Sequence, residues 1–247
     1  MAVKSIFVCE TKAPYFKRYD IEFKYNMGLS ISQKRKNIHS VHDIYNKTID
    51  SNPVLEISSK SEDEVGVQLS AFNLCKYVPS LKKSISVECI YQAAKIFEHG
   101  GPFEDLLLLD SKTAKKDERL KNNGKVTGFR YEGKEFPVIP AWAFYNYIYM
   151  LALKENEKLS KHLLSFSAFS DIEFSIDSIN CQACAAAQYV SLYNQNKLEE
   201  SLLDFETFLK TCVLEDIQLW GGIKDGFKAC DTRFSNIRSF YGFGSVL

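Results

Sequence analysis

The chain has 247 residues, of which 45% are hydrophobic, 13% aromatic and 25% charged. These proportions are typical of a globular protein and exclude a disordered chain, a collagen-like repeat and a small cysteine-rich scaffold. The 31 lysines and arginines balance 31 aspartates and glutamates. A broad basic surface for non-specific nucleic-acid binding is therefore not indicated.

Targeting segments and cysteine usage bear on the cellular compartment in which we expect the protein. No apolar run reaches the roughly 18 residues of a membrane-spanning helix, and residues 1–11 lack the apolar core of a signal peptide. The seven cysteines are an odd number without framework spacing. We therefore expect a cytoplasmic protein with reduced thiols and no membrane partner.

The N-terminal part of the chain predicts a small β element. Residues 3–9, 20–25 and 54–58 are typical of short strands, and the second alternates polar and apolar residues. A basic stretch at 33–37 leads into a short helix over 39–45. No linker or repeat divides the sequence, so we expect a single domain over residues 1–247.

From residue 86 onward the pattern becomes helical. Ser86 is a good N-cap for the first of these helices, and Gly100, Gly101 and Pro102 follow its end. The predicted helices span 87–98, 103–109, 111–122, 141–154, 178–194 and 199–219, and the tail 221–247 is left unassigned. The expected fold class is mainly α within α+β, with its β element near the N-terminus.

The helix that begins at Val87 carries a narrow polar strip. At about 100° per residue, Glu88, Gln92, Lys95 and His99 fall within about 60° of one another. Nearly every other position of this helix is apolar. An all-round apolar helix is buried, so we expect this helix to line the main pocket of the protein, with the strip facing it.

Two interpretations of the strip remain open from the residues themselves. In the first, Glu88 and Lys95 face a sliver of solvent and have no chemical role. In the second, they line a cleft, where burial lowers the pKa of a lysine and raises that of a glutamate. A neutral lysine is a nucleophile toward carbonyl-like carbons, and a poised glutamate is a general acid or base.

The strip belongs to a recognisable set of motifs. The segments LSAFNL (69–74) and SVECIYQAAK (86–95) resemble the signature of the NADAR/YbiA-like superfamily. One branch, the DarT-associated NADAR antitoxins, is similar over GLSISQK (28–34), FEHGGPF (97–103), AKKDERL (114–120), SDIEF (170–174) and SINCQA (178–183). The resemblance covers about residues 20–210. It departs from many superfamily members at Cys89, where they have histidine.

The resemblance implies a YbiA-like, single-domain helical fold and an ADP-ribosyl glycohydrolase. Such antitoxins are associated with a DarT-type toxin and remove ADP-ribose from guanine bases in DNA. The residue matching Lys95 would attack the distal ribose and form a Schiff base, while Glu88 would shuttle protons. ADP-ribosylated DNA is then the substrate and ADP-ribose the product, and neither a cofactor nor a metal is implied.

A wider set of residues is expected to bind the substrate. This set comprises Gln92, Gln33, Lys34, Lys36, Ser70, Asn73, Asp171 and Asn180. The basic groups at 34–36 and 112–121 would hold the pyrophosphate or the DNA backbone, or else form solvated faces. Asp171 would orient Lys95 or a water and Asn180 would bind a ribose hydroxyl, or both would only stabilise a loop.

Other chemistry-bearing residues favour structural interpretations. Cys181 and Cys184 lack the further ligands that a zinc site needs, so we expect buried helix residues. His39 and His42 are expected on a partly exposed helix. No phosphate-binding loop, dinucleotide fingerprint or GxSxG motif is present. Two other functions remain open, an N-glycosidase acting on a small ribosylated metabolite and a non-catalytic binder of ADP-ribosylated DNA or of the toxin.

Overall fold

A four-stranded sheet joins three distant parts of the chain. The computed structural model describes residues 1–28, 30–174 and 181–213. Strand β1 (Ala2–Cys9) pairs antiparallel with β2 (Phe16–Phe23) on one side and with β9 (Ala168–Ser170) on the other. Strand β3 (Val54–Glu56) pairs with β9 in parallel and completes the order β2-β1-β9-β3.

Two smaller sheets flank the helix that carries the polar strip. Strands β4 (Cys75–Val78) and β5 (Lys83–Ser86) form an antiparallel hairpin that ends at the start of this helix. Strands β6 (Lys95–Phe97), β7 (Val126–Tyr131) and β8 (Lys134–Phe136) form an antiparallel sheet that begins directly after it. The helix is thus held at both ends by backbone pairing.

Helices contribute 46% and strands 21% of the described residues. The α-helices are α1 (Ile31–Thr48), α2 (Glu64–Gln68), α3 (Val87–Ala94), α4 (Ser111–Lys116), α5 (Arg119–Asn122), α6 (Ala143–Glu155), α7 (Glu157–Leu163), α8 (Gln182–Asn194), α9 (Leu198–Ser201) and α10 (Phe205–Cys212). Short 3-10 turns lie at Pro79–Leu81 and Glu104–Leu108. None of these helices is long and apolar enough to cross a membrane.

Helices α6 and α8 form the centre of the main core. Most of α6 and all of residues 182–192 in α8 are buried. The run Ala183–Ala187 consists of alanines and one cysteine, and these small side chains allow α8 to pack closely against α6 and β1. Burial of apolar surface on this scale is the dominant stabilising contribution to a domain of this size.

The structure confirms several predicted elements and corrects the ends of others. Strands were correctly expected around 3–9, 20–25 and 54–58, and α6 matches the helix predicted over 141–154. The short helix predicted over 39–45 extends to Ile31–Thr48, because Ser30 accepts a hydrogen bond from the backbone of Gln33 and caps the helix earlier.

Three predicted helices were too long. The helix from Val87 ends at Ala94 instead of Glu98. The helix over 111–122 divides into α4 and α5, because Asp117 leaves the helical conformation. The helix over 199–219 is replaced by α9 and α10, and its last residues lie outside the described part. The first residues of the predicted helix 178–194 and the tail 221–247 lie outside it as well.

The α+β class is confirmed, but the β part is larger than expected. Strands β4 to β9 all lie beyond the predicted N-terminal β element. Three of them have only three residues, which is too short for a two-residue period to be recognised. Because their partners are often distant in sequence, as for β1 and β9, tertiary pairing defines them.

Candidate active site

Backbone hydrogen bonds tie the start of α3 to the LSAFNL segment. The backbone N–H of Glu88 donates to the carbonyl of Ala71 at 2.9 Å, and that of Val87 donates to Leu74 at 2.9 Å. Ser86 caps the helix by accepting from the backbone N–H of Cys89 at 3.2 Å. The two motifs of the resemblance therefore form one structural unit at the N-terminus of α3.

The end of α3 explains the position of Lys95. After Ala94 the backbone becomes extended, and Lys95 pairs with Phe129 in β7. The backbone N–H of Phe103 donates to the carbonyl of Ala93 at 3.0 Å and so satisfies one of the last helical acceptors. Gly101 has φ +86°, and a Cβ there would lie 2.3 Å from the Lys95 carbonyl oxygen, so only glycine fits this turn.

Gln92 joins the acid and the amine of the polar strip. Its Nε2 donates to Glu88 Oε1 at 2.8 Å, and its Oε1 accepts from Lys95 Nζ at 2.7 Å. Glu88 and Gln92 are buried, with 5% and 6% of their surface exposed, and Lys95 is half-buried. The solvent-facing interpretation is therefore wrong for Glu88, whereas Lys95 keeps partial access to solvent. His99 lies beyond the helix and is exposed, so it does not extend the strip.

The surroundings of Lys95 lower the pKa of its amine. Burial lowers the pKa of Lys95 from 10.5 to about 8; Glu88 acts in the opposite direction, and the charge of Lys115 adds to the lowering. The Lys95 ammonium lies over the ring of Tyr91, 4.5 Å from its centroid, a contact that favours the protonated form. With a pKa near 8, about a tenth of the amine is neutral at pH 7. An ordinary lysine is almost completely protonated there.

Aromatic packing supports the floor of this site. The rings of Tyr91 and Tyr145 meet edge to face at 5.2 Å, and those of Tyr145 and Tyr149 stack at 6.2 Å. The Tyr149 hydroxyl donates to the carbonyl of Leu69 at 2.7 Å. Burial raises the pKa values of Tyr91 and Tyr145, so both remain neutral and act as a rigid support.

Ser70 and Asn73 shape the LSAFNL segment. Ser70 is fully buried, and its carbonyl accepts from the backbone N–H groups of Asn73 and Leu74, both at 2.8 Å. The exposed Asn73 donates from Nδ2 to the carbonyl of Val67 at 2.8 Å. These contacts stabilise the turn that positions Glu88. Substrate binding by these two side chains stays a prediction.

Asp171 and Lys34 belong to a second polar cluster. A cavity formed by described residues is lined by Lys4, Ser5, Ile38, Val41, His42, Glu56, Ser170, Asp171 and Ile172. This cavity does not include Glu88, Gln92 or Lys95, so α3 does not line it. The charge of Lys34 lowers the pKa of Lys4, which burial lowers most, so the two amines lie near each other.

The carboxyl groups of this second cluster resist ionisation. Burial raises the pKa of Glu56, and burial followed by the charge of Glu56 raises that of Asp171 well above the usual value. Glu56 accepts from the backbone N–H of Ile172 at 2.8 Å and bonds the Ser170 hydroxyl, which lies 2.7 Å from His42 Nε2. Burial lowers the pKa of His42 to about 4, so this histidine is neutral.

The other predicted residues are more dispersed. Gln33 is half-buried in the first turn of α1, and Lys36 is exposed on the same helix. Asn180 lies outside the described residues. His39 is exposed and contacts Glu62, as expected for a partly exposed helix.

The cysteine prediction also agrees with the structure. Cys181 and Cys184 are buried and free, and burial raises the pKa of both thiols. Within residues 1–28, 30–174 and 181–213, no group of three or more His, Cys, Asp or Glu is arranged to hold a metal ion.

Some residues of the two clusters were not singled out from the sequence. Lys115 was placed only in a general basic group, yet its Nζ lies 3.8 Å from Glu88 Oε1 and 4.8 Å from the centroid of the Phe72 ring. For Lys4 and Glu56 the sequence pattern predicts only strand positions. Glu56 could have been recognised from the sequence, because it lies inside the otherwise apolar strand around Val54. A charged residue in a buried strand must be paired or neutral, so it indicates a polar cluster.

The arrangement at the end of α3 can be compared with known families. A family model described as DarT1-associated NADAR antitoxin matches residues 2–218. The chain belongs to this family. The matched part of the antitoxin includes Glu88, Gln92, Lys95 and the whole second cluster. It is longer than the range of about 20–210 over which the motifs are recognisable. A comparison with curated proteins gave no match.

Proposed function

We propose that the antitoxin is a hydrolase that removes ADP-ribose from guanine bases in DNA. The observation that carries this proposal is the Lys95 amine, held by Gln92 beside the buried Glu88 carboxylate, with its pKa lowered to about 8. The family supports the same chemistry, because NADAR proteins are associated with glycohydrolase activity. A perturbed lysine next to a carboxylate is typical of a catalytic site.

Lys95 acts as the nucleophile in this mechanism. The lone pair of its neutral amine forms a bond to C1 of the distal ribose while the bond from C1 to the guanine nitrogen breaks. The ribose ring then opens: its oxygen takes the remaining proton of the lysine nitrogen, and a carbon–nitrogen double bond forms. Addition of water to this imine releases ADP-ribose and restores the amine.

Glu88 moves the protons of both steps. It accepts the proton that the Lys95 nitrogen loses after attack and passes it to the departing guanine nitrogen, which leaves with the bonding electron pair. In the second step it accepts a proton from the attacking water and passes it to the Lys95 nitrogen, which leaves as the amine when the carbon–nitrogen bond breaks. Gln92 holds Glu88 and Lys95 at a fixed separation, and such positioning lowers the entropic part of the barrier.

Two lysines of α1, near the second cluster, bind the rest of the substrate in this proposal. Lys34 is half-buried and Lys36 exposed on α1, and their charges suit a pyrophosphate or a DNA phosphate. The charges of both Glu88 and Asp171 raise the pKa of the buried Tyr145, which burial raises most. Lys34→Ala should weaken binding more than turnover and flatten its salt dependence, as measured by titration at several salt concentrations.

The toxin partner follows from the family. We propose that the antitoxin counteracts a DarT-type toxin by reversing its modification of DNA. Co-expression tests this: the wild-type chain should restore the growth of cells that produce the toxin, and Lys95→Ala should not. Rescue by the inactive variant would instead favour a non-catalytic binder.

A reductive trap tests the chemistry. During turnover of ADP-ribosylated single-stranded DNA, borohydride should convert the imine to a stable amine and link ADP-ribose to Lys95. Lys95→Ala should abolish both the adduct and the release of ADP-ribose. Lys95→Arg should do so too, because a guanidinium stays protonated. Lys125→Ala, at an exposed lysine beside β7, is the matched control and should behave as the wild type.

The outcomes separate the competing functions. Full turnover by Lys95→Ala excludes the covalent mechanism. Turnover of the wild type without an adduct assigns Lys95 an electrostatic role. Activity on a riboflavin-pathway intermediate but not on DNA supports the small-metabolite glycosidase instead, and binding of modified DNA without release of ADP-ribose supports the non-catalytic binder.

A further inference from the structure

Four polar side chains follow one another from α4 to β6. Lys115 Nζ lies 3.8 Å from Glu88 Oε1. The same oxygen accepts from Gln92 Nε2, and Gln92 Oε1 accepts from Lys95 Nζ. The order is therefore cation, carboxylate, amide and amine. The carboxylate has its cationic partner on one side, and the amide separates it from Lys95 on the other.

The Gln92 amide, which lies between Glu88 and Lys95, affects the protonation of the Lys95 amine. A carboxylate in direct contact with Lys95 would stabilise the protonated form strongly. The side chain of Gln92 carries no net charge and still presents an acceptor that fixes the amine in place. Lys115 contributes a like charge, which favours the neutral form of Lys95.

The position of Lys115 is fixed by α4. Asp110 caps this helix by accepting from the backbone N–H groups of Lys112 and Thr113, both at 3.1 Å. Ala114 is buried in a cluster with Cys89 of α3. The Lys115 ammonium rests between the Phe72 ring and Glu88, although 54% of its side-chain surface is exposed. It is thus held by a ring and a carboxylate while it remains accessible to solvent.

We propose that Lys115 is a positioning residue that serves as the counter-ion of Glu88 and, through its charge, raises the fraction of the Lys95 amine that is neutral. The inference rests on the proposed nucleophilic role of Lys95. Gln92 and Tyr91 contact the Lys95 amine, with Tyr145 from α6 behind Tyr91. The charges that act on the amine are those of Glu88 from α3 and Lys115 from α4. Of these two charges, that of Lys115 is positive and lowers the pKa of Lys95.

The test measures the reactivity of Lys95 in the free protein, without substrate. Acetylation by acetic anhydride under single-hit conditions is followed by peptide mass spectrometry between pH 6 and 10. Lys115→Met removes the charge and keeps an apolar stem over Phe72. It should reduce labelling of Lys95 at pH 7 by about two- to fivefold and move the midpoint of the labelling curve to higher pH.

Two variants show whether the charge at this position is responsible. Lys115→Arg retains the charge and should label as the wild type does. Lys112→Met removes an exposed lysine from the first turn of the same helix and should leave the curve unchanged. An unchanged midpoint in Lys115→Met, or the same shift in Lys112→Met or Lys115→Arg, overturns the proposal.

The labelling experiment and the hydrolysis assay can fail separately, because labelling is measured on the free protein without substrate. If the protein fails to hydrolyse ADP-ribosylated DNA but shows the expected labelling shift, the hydrolase proposal fails and the role of Lys115 stands. If the protein hydrolyses the DNA and the labelling curve of Lys115→Met is unchanged, the hydrolase proposal stands and the role of Lys115 is rejected. Circular dichroism confirms that each variant is folded before it is labelled.

Discussion

Two buried polar clusters of similar composition differ in their access to solvent. In the first, the chain of Glu88, Gln92 and Lys95 continues to Lys115, whose side chain is half exposed. In the second, Glu56 is bonded to Ser170 and to the backbone within the fold. Burial perturbs the pKa values of groups in both clusters. A perturbed pKa alone therefore does not identify a catalytic group, and access to solvent has to be considered as well.

The largest expected difference between the clusters is in turnover. Glu88→Gln keeps the shape of the acid and removes its ability to move protons, so turnover should fall by about 10²–10⁴-fold with little change in binding. Glu56→Gln is the matched variant in the second cluster and should stay within about threefold of the wild type. Single-turnover release of ADP-ribose measures both. Equal losses in the two variants would mean that the clusters act as one catalytic unit.

The pH dependence of turnover should report the first cluster. Because the amine is the reactive form and its pKa lies near 8, kcat/KM should rise about tenfold per pH unit below this value and level off above it. His42, with a pKa of about 4, should add no step in this range. His42→Asn is the control and should keep the same profile. A rise that continues to pH 10 would show that the lysine is not perturbed.

The second cluster should affect stability instead. Glu56→Ala leaves the buried N–H of Ile172 and the Ser170 hydroxyl without their acceptor, which should lower the free energy of unfolding by about 1–3 kcal/mol. Glu56→Gln retains an acceptor and should lose less than about 1 kcal/mol. Urea denaturation at pH 7 measures both values. A Glu56→Ala variant as stable as the wild type would contradict a structural role.

The difference in stability between Glu56→Gln and the wild type should depend on pH. The pKa of Glu56 is raised in the folded state above its ordinary value of 4.5. Its contribution to stability is therefore complete below pH 4.5 and is lost as the pH rises through the folded-state value. The stability of Glu56→Gln relative to the wild type should increase over that window.

Local sequence patterns were sufficient for much of the candidate site. Capping by Ser86 predicts where α3 begins. The 3.6-residue period predicts that Glu88 and Gln92 lie on the same face of this helix. The motifs also indicated the family, which the match over residues 2–218 confirms. These features depend on near neighbours in the chain, so a single sequence is enough to recognise them.

Lys95 shows where local patterns stop. The helical period placed it beside Gln92, and the two side chains do meet, but the backbone there is already a strand paired with Phe129. The turn at Gly101 and the pairing with β7 end the helix, and the pairing depends on Phe129, which lies far along the chain. Lys115 reaches Glu88 for a similar reason, since α4 packs on α3 across the Phe103–Asp110 connection.

The amino-acid order accounts for the capped start of α3 and for the placement of Glu88 and Gln92 on one face of it, because each depends on residues within a few turns of one another. Three features arise only when segments far apart in the chain pack together. They are the four-stranded sheet, the burial of the second cluster and the contact between Glu88 and Lys115. Burial and counter-ions set the pKa values of Lys95, Glu56 and His42. Those surroundings exist only once the chain has folded, because water solvates the same groups in the unfolded state.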